Sequence, residues 1–126
     1  MTDAKLIGLM VGKTFTTVEN RNNDELVFKT ADGETFEFYH IQDCCENVYI
    51  EDICGDLNDL VGCELVQAEE VSCADFPAPE NADSYTWTFY KFATIKGSVT
   101  VRWLGTSNGF YSERVDLSRT YKRNAA

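Results

Sequence analysis

The sequence lacks any apolar run approaching the roughly 20 residues that a membrane-spanning helix needs, so no membrane span is expected. A secretory leader is not expected either. Met1 to Lys13 has no basic opening region leading to a small-residue cleavage site, and Gly8 and Gly12 break its apolar stretch. Proline is scarce: the two present are Pro77 and Pro79. Histidine occurs once, at His40. No G-x-G-x-x-G, P-loop, G-x-S-x-G or H-E-x-x-H string is present, so the chemistries those strings serve are not announced. What remains is a chain of 126 residues, 44% hydrophobic and 13% aromatic, too apolar for disorder and of one-domain length. Such a chain buries enough surface to fold without disulfides or a structural metal. No cofactor is expected.

Positive charge is missing from the middle of the chain. From Thr30 to Tyr90 there are 15 acidic residues and no lysine or arginine. The whole chain has 21 acids against 11 bases, a net charge of −10. All the bases therefore lie outside that stretch, seven of them between Lys91 and Arg123. A nucleic-acid binder needs a basic footprint to neutralise phosphates, so direct nucleic-acid binding is not expected. An acidic surface favours basic partners instead. Acidity that serves solubility alone is the plainer reading. The sharper one is a surface that occupies a nucleic-acid-binding groove on another protein, with Asp43, Glu46, Glu51, Asp52, Asp56, Asp59, Glu69 and Glu70 as the contacting acids.

Turn signals recur at Asn22-Asn23-Asp24, Asp32-Gly33, Lys96-Gly97 and Ser107-Asn108-Gly109, separated by short runs rich in Val, Ile, Phe, Tyr, Trp and Thr. Those runs read as antiparallel strands and hairpins. Val99, Val101 and Trp103 alternate with Thr100 and Arg102, and Tyr85, Trp87 and Phe89 alternate with Thr86 and Thr88. Trp87, Trp103, Phe89, Phe92, Phe36 and Phe38 are expected in the core. Two short helices are expected, one capped by Thr2 or Asp3 and ended by Gly12, the other capped by Asp56 over Leu57 to Val61 and ended by Gly62. Val11-Gly12-x-x-Phe15 matches Val61-Gly62-x-x-Leu65, Phe28-x-Thr30-x-x-Gly33 matches Phe92-x-Thr94-x-x-Gly97, and Tyr49-x-Glu51-x-Ile53 matches Tyr111-x-Glu113-x-Val115. Their common order predicts a mainly β single domain of two pseudo-repeated four-stranded units, halves about 9–55 and 60–118, packed on each other. Ser72 to Ser84, which holds both prolines, reads as an exposed acidic loop in the second half. Arg119 to Ala126 reads as a frayed basic tail.

The link after the third strand of the first half is His40-Ile41-Gln42-Asp43-Cys44-Cys45-Glu46-Asn47, with no glycine, the one histidine, two thiols and two carboxylates. Its second-half counterpart is ordinary turn chemistry, Gly105-Thr106-Ser107-Asn108-Gly109. His40, Cys44 and Cys45 offer soft metal ligands, but the second ligand pair that structural zinc sites carry is missing. Cys with His, oriented by Asp43, is the pattern of an activated nucleophile. Packing of His40 and the cysteines at a strand end, and a contact loop for a partner or ligand, are the non-covalent readings. Tyr111 joins His40, Asp43, Cys44 and Cys45 as a candidate ligand contact. Cys44, Cys45, Cys54, Cys63 and Cys73 without a leader predict a reducing compartment, free thiols and at least three buried cysteines.

The string His40-x-Gln42-Asp43-Cys44-Cys45-Glu46-x-Val48-Tyr49-Ile50-Glu51-Asp52-Ile53, followed by Gly55-Asp56-Leu57-x-Asp59-Leu60, resembles the signature of a family of short, uncharacterised bacteriophage and prophage proteins. Trp87-Thr88-Phe89-Tyr90, Val101-Arg102-Trp103 and Ser107-Asn108-Gly109-x-Tyr111-Ser112-Glu113 resemble its second block. The likeness covers about Leu9 to Asp116. It departs at Ile41, where the family usually has Asp, which weakens a metal or acid–base role there. The resemblance carries no activity over. It implies a phage accessory protein of the host cytoplasm, monomeric or homodimeric, that binds and inhibits a host or antiviral-defence protein with a basic surface. An anti-CRISPR role is one form of that expectation. The alternative is a small-ligand or metal-binding module built on the His40–Asp52 segment.

Overall fold

The computed structural model describes residues 3–71, 76–79 and 83–121, with the side chains of residues 3 and 4 excepted. A short helix, α1 (Asp3–Gly8), precedes β1 (Phe15–Arg21), β2 (Glu25–Thr30), β3 (Glu34–Tyr39) and β4 (Glu46–Cys54). A 3-10 turn, Leu57–Leu60, then leads to β5 (Gln67–Val71), β6 (Ser84–Thr94), β7 (Gly97–Ser107) and β8 (Asp116–Tyr121). The expected second helix is thus a single 3-10 turn. Asp56 caps it as expected, its carboxylate accepting from the Asn58 N–H at 2.9 Å. Thr2, the other proposed cap, lies outside the described residues.

All strand pairs are antiparallel, in two four-stranded sheets ordered β1-β2-β3-β8 and β4-β7-β6-β5. The sheets are not the two sequence halves. Each half lays down three consecutive strands in its own sheet and sends its fourth to the other, β4 beside β7 and β8 beside β3. The halves meet around a local two-fold. Gly12 N–H donates to Leu65 O at 2.8 Å, and Gly62 N–H donates to Phe15 O at 2.9 Å. Thr14 and Glu64 bridge between them. Both glycines have positive φ, 91° and 82°, a conformation that a side chain disfavours.

Apolar rings from both sheets fill the space between them. Phe28 packs on Phe92 with centroids 4.9 Å apart, and Phe38 on Tyr90 at 4.7 Å. Phe15, Phe28, Phe36, Phe38, Phe92 and Trp103 are fully buried. Trp87 and Phe89 are the exceptions to the expected core. β6 is one unbroken strand, so its faces alternate without a break. Thr88, Tyr90, Phe92 and Thr94 are its buried residues, which puts Trp87 and Phe89 on the outer face. There Phe76, from the segment read as an exposed loop, packs edge-on against both rings.

Charged ends are tied down as well. Arg119 belongs to β8 and pairs with Glu34, so the expected frayed tail begins no earlier than residue 122, outside the described residues. Glu34 is buried at 3% exposure and also binds Lys13 Nζ at 2.7 Å. Burial opposes its ionisation, but Lys13 and Arg119 outweigh that and hold its carboxyl below the usual carboxylate range.

The inverted parity of β6 gives a sharp mutational contrast. Phe92→Ala should cost about 3–5 kcal/mol, as for a large ring removed from a closed core. Phe89→Ala should cost less than about half of that, because its ring packs only on the outer face. Denaturant unfolding of both variants measures the difference.

Candidate functional site

The exchange of fourth strands sets the geometry of the His40 segment. β3 pairs with β8 through Tyr39 and Asp116, while β4 pairs with β7 through Glu46 and Ser107. Both inter-sheet links, 40–45 and 108–115, therefore leave from one end of the sandwich. They touch through His40, whose Nδ1 lies 2.8 Å from the carbonyl oxygen of Arg114. A carbonyl only accepts, so Nδ1 carries the proton and donates. Nε2 is buried with no hydrogen-bond partner among the described residues and faces Glu46 Oε2 at 3.6 Å. The two side chains are only 4% and 2% exposed.

Glu46 holds the link in shape. Its Oε1 accepts from the backbone N–H groups of Asp43 at 2.8 Å and Cys44 at 3.0 Å. Burial works against its charge, yet the backbone N–H donors of Asp43, Glu46 and Cys44 outweigh burial and keep its carboxyl below the usual range. The glycine-free link is therefore ordered by a carboxylate rather than by turn residues. Glu46, expected as a surface acid, points inward, away from any partner.

The cysteines depart from expectation. Cys44, Cys45 and Cys54 are exposed and Cys63 is half-buried, so at most one of the five, Cys73 outside the described residues, can be buried. Cys44 and Cys45 stand on the link between the sheets, Cys54 ends β4, and Cys63 follows the 3-10 turn. The sulfurs of Cys44 and Cys45, adjacent and expected to stay apart, are in bonding contact as a disulfide. The imidazole is turned to Glu46 and not to a thiol. Among the described residues no three His, Cys, Asp or Glu side chains converge on a point where a metal ion could sit. Tyr111 stands half-buried on the neighbouring link.

Beside Glu46 lies a second carboxylate that sequence reasoning missed. Glu113, 9% exposed, accepts from Thr86 Oγ1 at 2.8 Å and from Ser107 Oγ. Burial raises its carboxyl, but the hydroxyls of Ser107, Ser84 and Thr86 outweigh that and lower it. Gly105 was the available signal. A methyl there would overlap the Glu113 carbonyl oxygen and stand 2.8 Å from its Cβ, so this strand glycine marks a chain crossing.

The remaining acids surround the second sheet on two sides. Glu51 and Asp52, at a bulge in β4, both bind Arg102 of β7. Asp56 caps the 3-10 turn and Asp59 lies within it, against Gly97 at the start of β7. Glu69 and Glu70 lie on β5, at the opposite edge of the sheet from β4. Asp43 is exposed at the crossover end. The structure thus groups Glu51 with Asp52, and Asp56 with Asp59, and leaves Glu69 and Glu70 a sheet-width away.

A family model described as a domain of unknown function, DUF7448, matches residues 8–117, and the chain belongs to that family. No curated protein and no solved structure matches the chain.

Two outcomes follow at the crossover. Gly105→Ala should destabilise the fold by about 1–3 kcal/mol or more, the cost of an overpacked site, read by denaturant unfolding. Glu34, Glu46 and Glu113 ionise more readily folded than unfolded. Their contribution is complete above the unfolded carboxyl pKa of about 4.3 and is lost as pH falls through the folded values. Stability should therefore hold from neutral pH to about 5 and fall below about 4, less steeply in Glu113→Gln.

Proposed function

We propose that the protein is a phage or prophage accessory factor that binds and inhibits a host or antiviral-defence protein through its acidic surface. One observation carries this reading. Of the eight acids singled out, Asp43, Glu51, Asp52, Asp56, Glu69 and Glu70 stand exposed, and among the described residues only Glu51 and Asp52 share a base. Unpaired exposed acids on two edges and one end of a sheet attract a basic partner from several directions. They contribute to the rate of encounter more than to the lifetime of the complex. A basic nucleic-acid-binding groove is the partner surface that such a charge distribution fits. The phage origin rests on the resemblance of the Asp43-Cys44-Cys45-Glu46 block, and the inhibitory role on the kind of protein that block resembles.

The test uses the protein as bait in lysate of a candidate host, followed by binding kinetics with the purified partner. Asp43→Asn, Glu69→Gln and Glu70→Gln together should slow association several-fold at low salt and leave dissociation nearly unchanged. Exposed charges are screened over about 8–10 Å at physiological ionic strength, so high salt should erase the difference. Folding stability should hardly move, since each exposed charge is worth at most about 1 kcal/mol. An association rate indifferent to both salt and the substitutions would overturn this reading.

A further inference from the structure

We propose that the outer face of the second sheet is a docking groove for an extended aromatic-Pro-x-Pro segment of a partner, occupied in the free chain by its own Phe76-Pro77-Ala78-Pro79. It names the kind of segment the partner carries and rests on the proposed function only for that partner's positive charge. The strand parity that turns Trp87 and Phe89 outward sets them on the same face as Leu104 and Arg102, their neighbours across β7. Tyr49 and Asp52 of β4 continue that face. Two outward aromatic rings around an arginine, left uncovered, would form the kind of apolar patch that marks an interaction site.

What covers them here is specific. The indole N–H of Trp87 donates to the carbonyl oxygen of Pro77 at 3.0 Å. The Phe76 ring stands edge-on to Trp87 at 4.7 Å and to Phe89 at 5.4 Å. The Arg102 guanidinium lies 4.9 Å from the Phe76 ring centre and 5.6 Å from that of Trp87, fixed from behind by Glu51 and Asp52. Pro77 and Pro79 have locked φ angles, and the residues before them, Phe76 and Ala78, are pushed toward extended backbone. The segment therefore loses little freedom on docking. An indole donating to a proline-flanked carbonyl beside an aromatic slot is how aromatic grooves read proline-rich peptides. These contacts are available to any chain with an aromatic residue, a proline and a further proline two positions on.

The native occupant, Phe76 to Pro79, brings no positive charge to the groove. In sequence its flanks are Asp75 and Glu80, while the groove is rimmed by Glu51 and Asp52. A partner segment that carries lysine or arginine beside its aromatic-Pro-x-Pro core brings the rim opposite charge and is preferred. Phe76 to Pro79 contribute nothing to the core cluster, so their departure leaves the sandwich intact.

The probes are two synthetic peptides, Lys-Phe-Pro-Ala-Pro-Lys and a control with serine in place of phenylalanine. The readout is the Trp87 indole signal in a proton–nitrogen NMR spectrum, with fully buried Trp103 reporting the fold. Phe76→Ser should shift and deprotect the Trp87 indole and leave Trp103 unmoved. The basic peptide should then bind this variant about tenfold or more tighter than wild type, because the tethered strap competes at roughly millimolar effective concentration. The serine control should not bind, and adding Trp87→Phe should abolish binding. If Phe76→Ser disturbs Trp103, Pro77→Gly with Pro79→Gly unlocks the segment and gives the same comparison. An unchanged Trp87 signal in the opened variants, or equal binding of both peptides, overturns the proposal. So does a wild-type dimer that Phe76→Ser dissociates, which would assign the groove to strap exchange between two copies. None of these readouts uses the acidic-surface partner, so failure here leaves the proposed function standing, and the reverse.

Discussion

Because β4 leaves the first three strands to pair with β7, and β8 leaves the second three to pair with β3, neither half of the chain can complete a sheet alone. Nearly every other feature of the molecule follows from this exchange. It forces two inter-sheet links to the same end, where His40 meets the Arg114 carbonyl and two carboxylates become buried within a short distance of β7. It also fixes the opposite boundary, where Gly12 and Gly62 trade hydrogen bonds with Leu65 and Phe15. Buried carboxylates are tolerated at the crossover because backbone N–H groups and hydroxyls stand ready to solvate them. The link needs no glycine because Glu46 performs the ordering that turn residues otherwise supply.

The same arrangement explains why the charge pattern is not one patch. A base-free stretch that runs through β3, β4, β5 and most of β6 visits both sheets and both edges of the second one. Acids adjacent in sequence are then separated in space, and some acquire structural tasks. Glu34 anchors Lys13 and Arg119, Glu46 orders the crossover, and Asp56 caps the 3-10 turn. Of the acids left over, Glu51 and Asp52 share Arg102, while Asp43, Glu69 and Glu70 face solvent with no base bound to them among the described residues.

Much of the architecture was legible in the sequence because strands and turns write themselves locally. Alternation at Val99, Val101 and Trp103 and the three ordered matches led to eight antiparallel strands in two sheets. The fourth-strand exchange was not legible, since a repeat shows equivalence between segments but not which neighbour each pairs with. The parity of β6 failed for a related reason. Tyr85, Trp87 and Phe89 alternate as cleanly as Tyr90 and Phe92 do, and only the continuous strand decides which set faces inward. At the candidate site the sequence located the unusual link but assigned Glu46 to the surface. A carboxylate satisfied by the N–H groups two and three residues before it looks, in sequence, like any solvated acid. Glu113 was hidden behind ordinary turn residues, with Gly105 as its one trace.

The β1–β2 turn bears on a separate hazard. Asn22 and Asn23 both take positive φ, and the Asn23 carbonyl accepts the Ile50 N–H of β4 at 2.6 Å, beside the bulge between Ile50 and Asp52. β4 is an edge strand, and an unpaired edge is a template on which another chain can add a strand. Here a turn from the other sheet occupies one of its donors, and the bulge breaks the regular spacing that a docking strand would need. Both features work against strand addition along the apolar sequence Val48-Tyr49-Ile50 at the rim of the sheet.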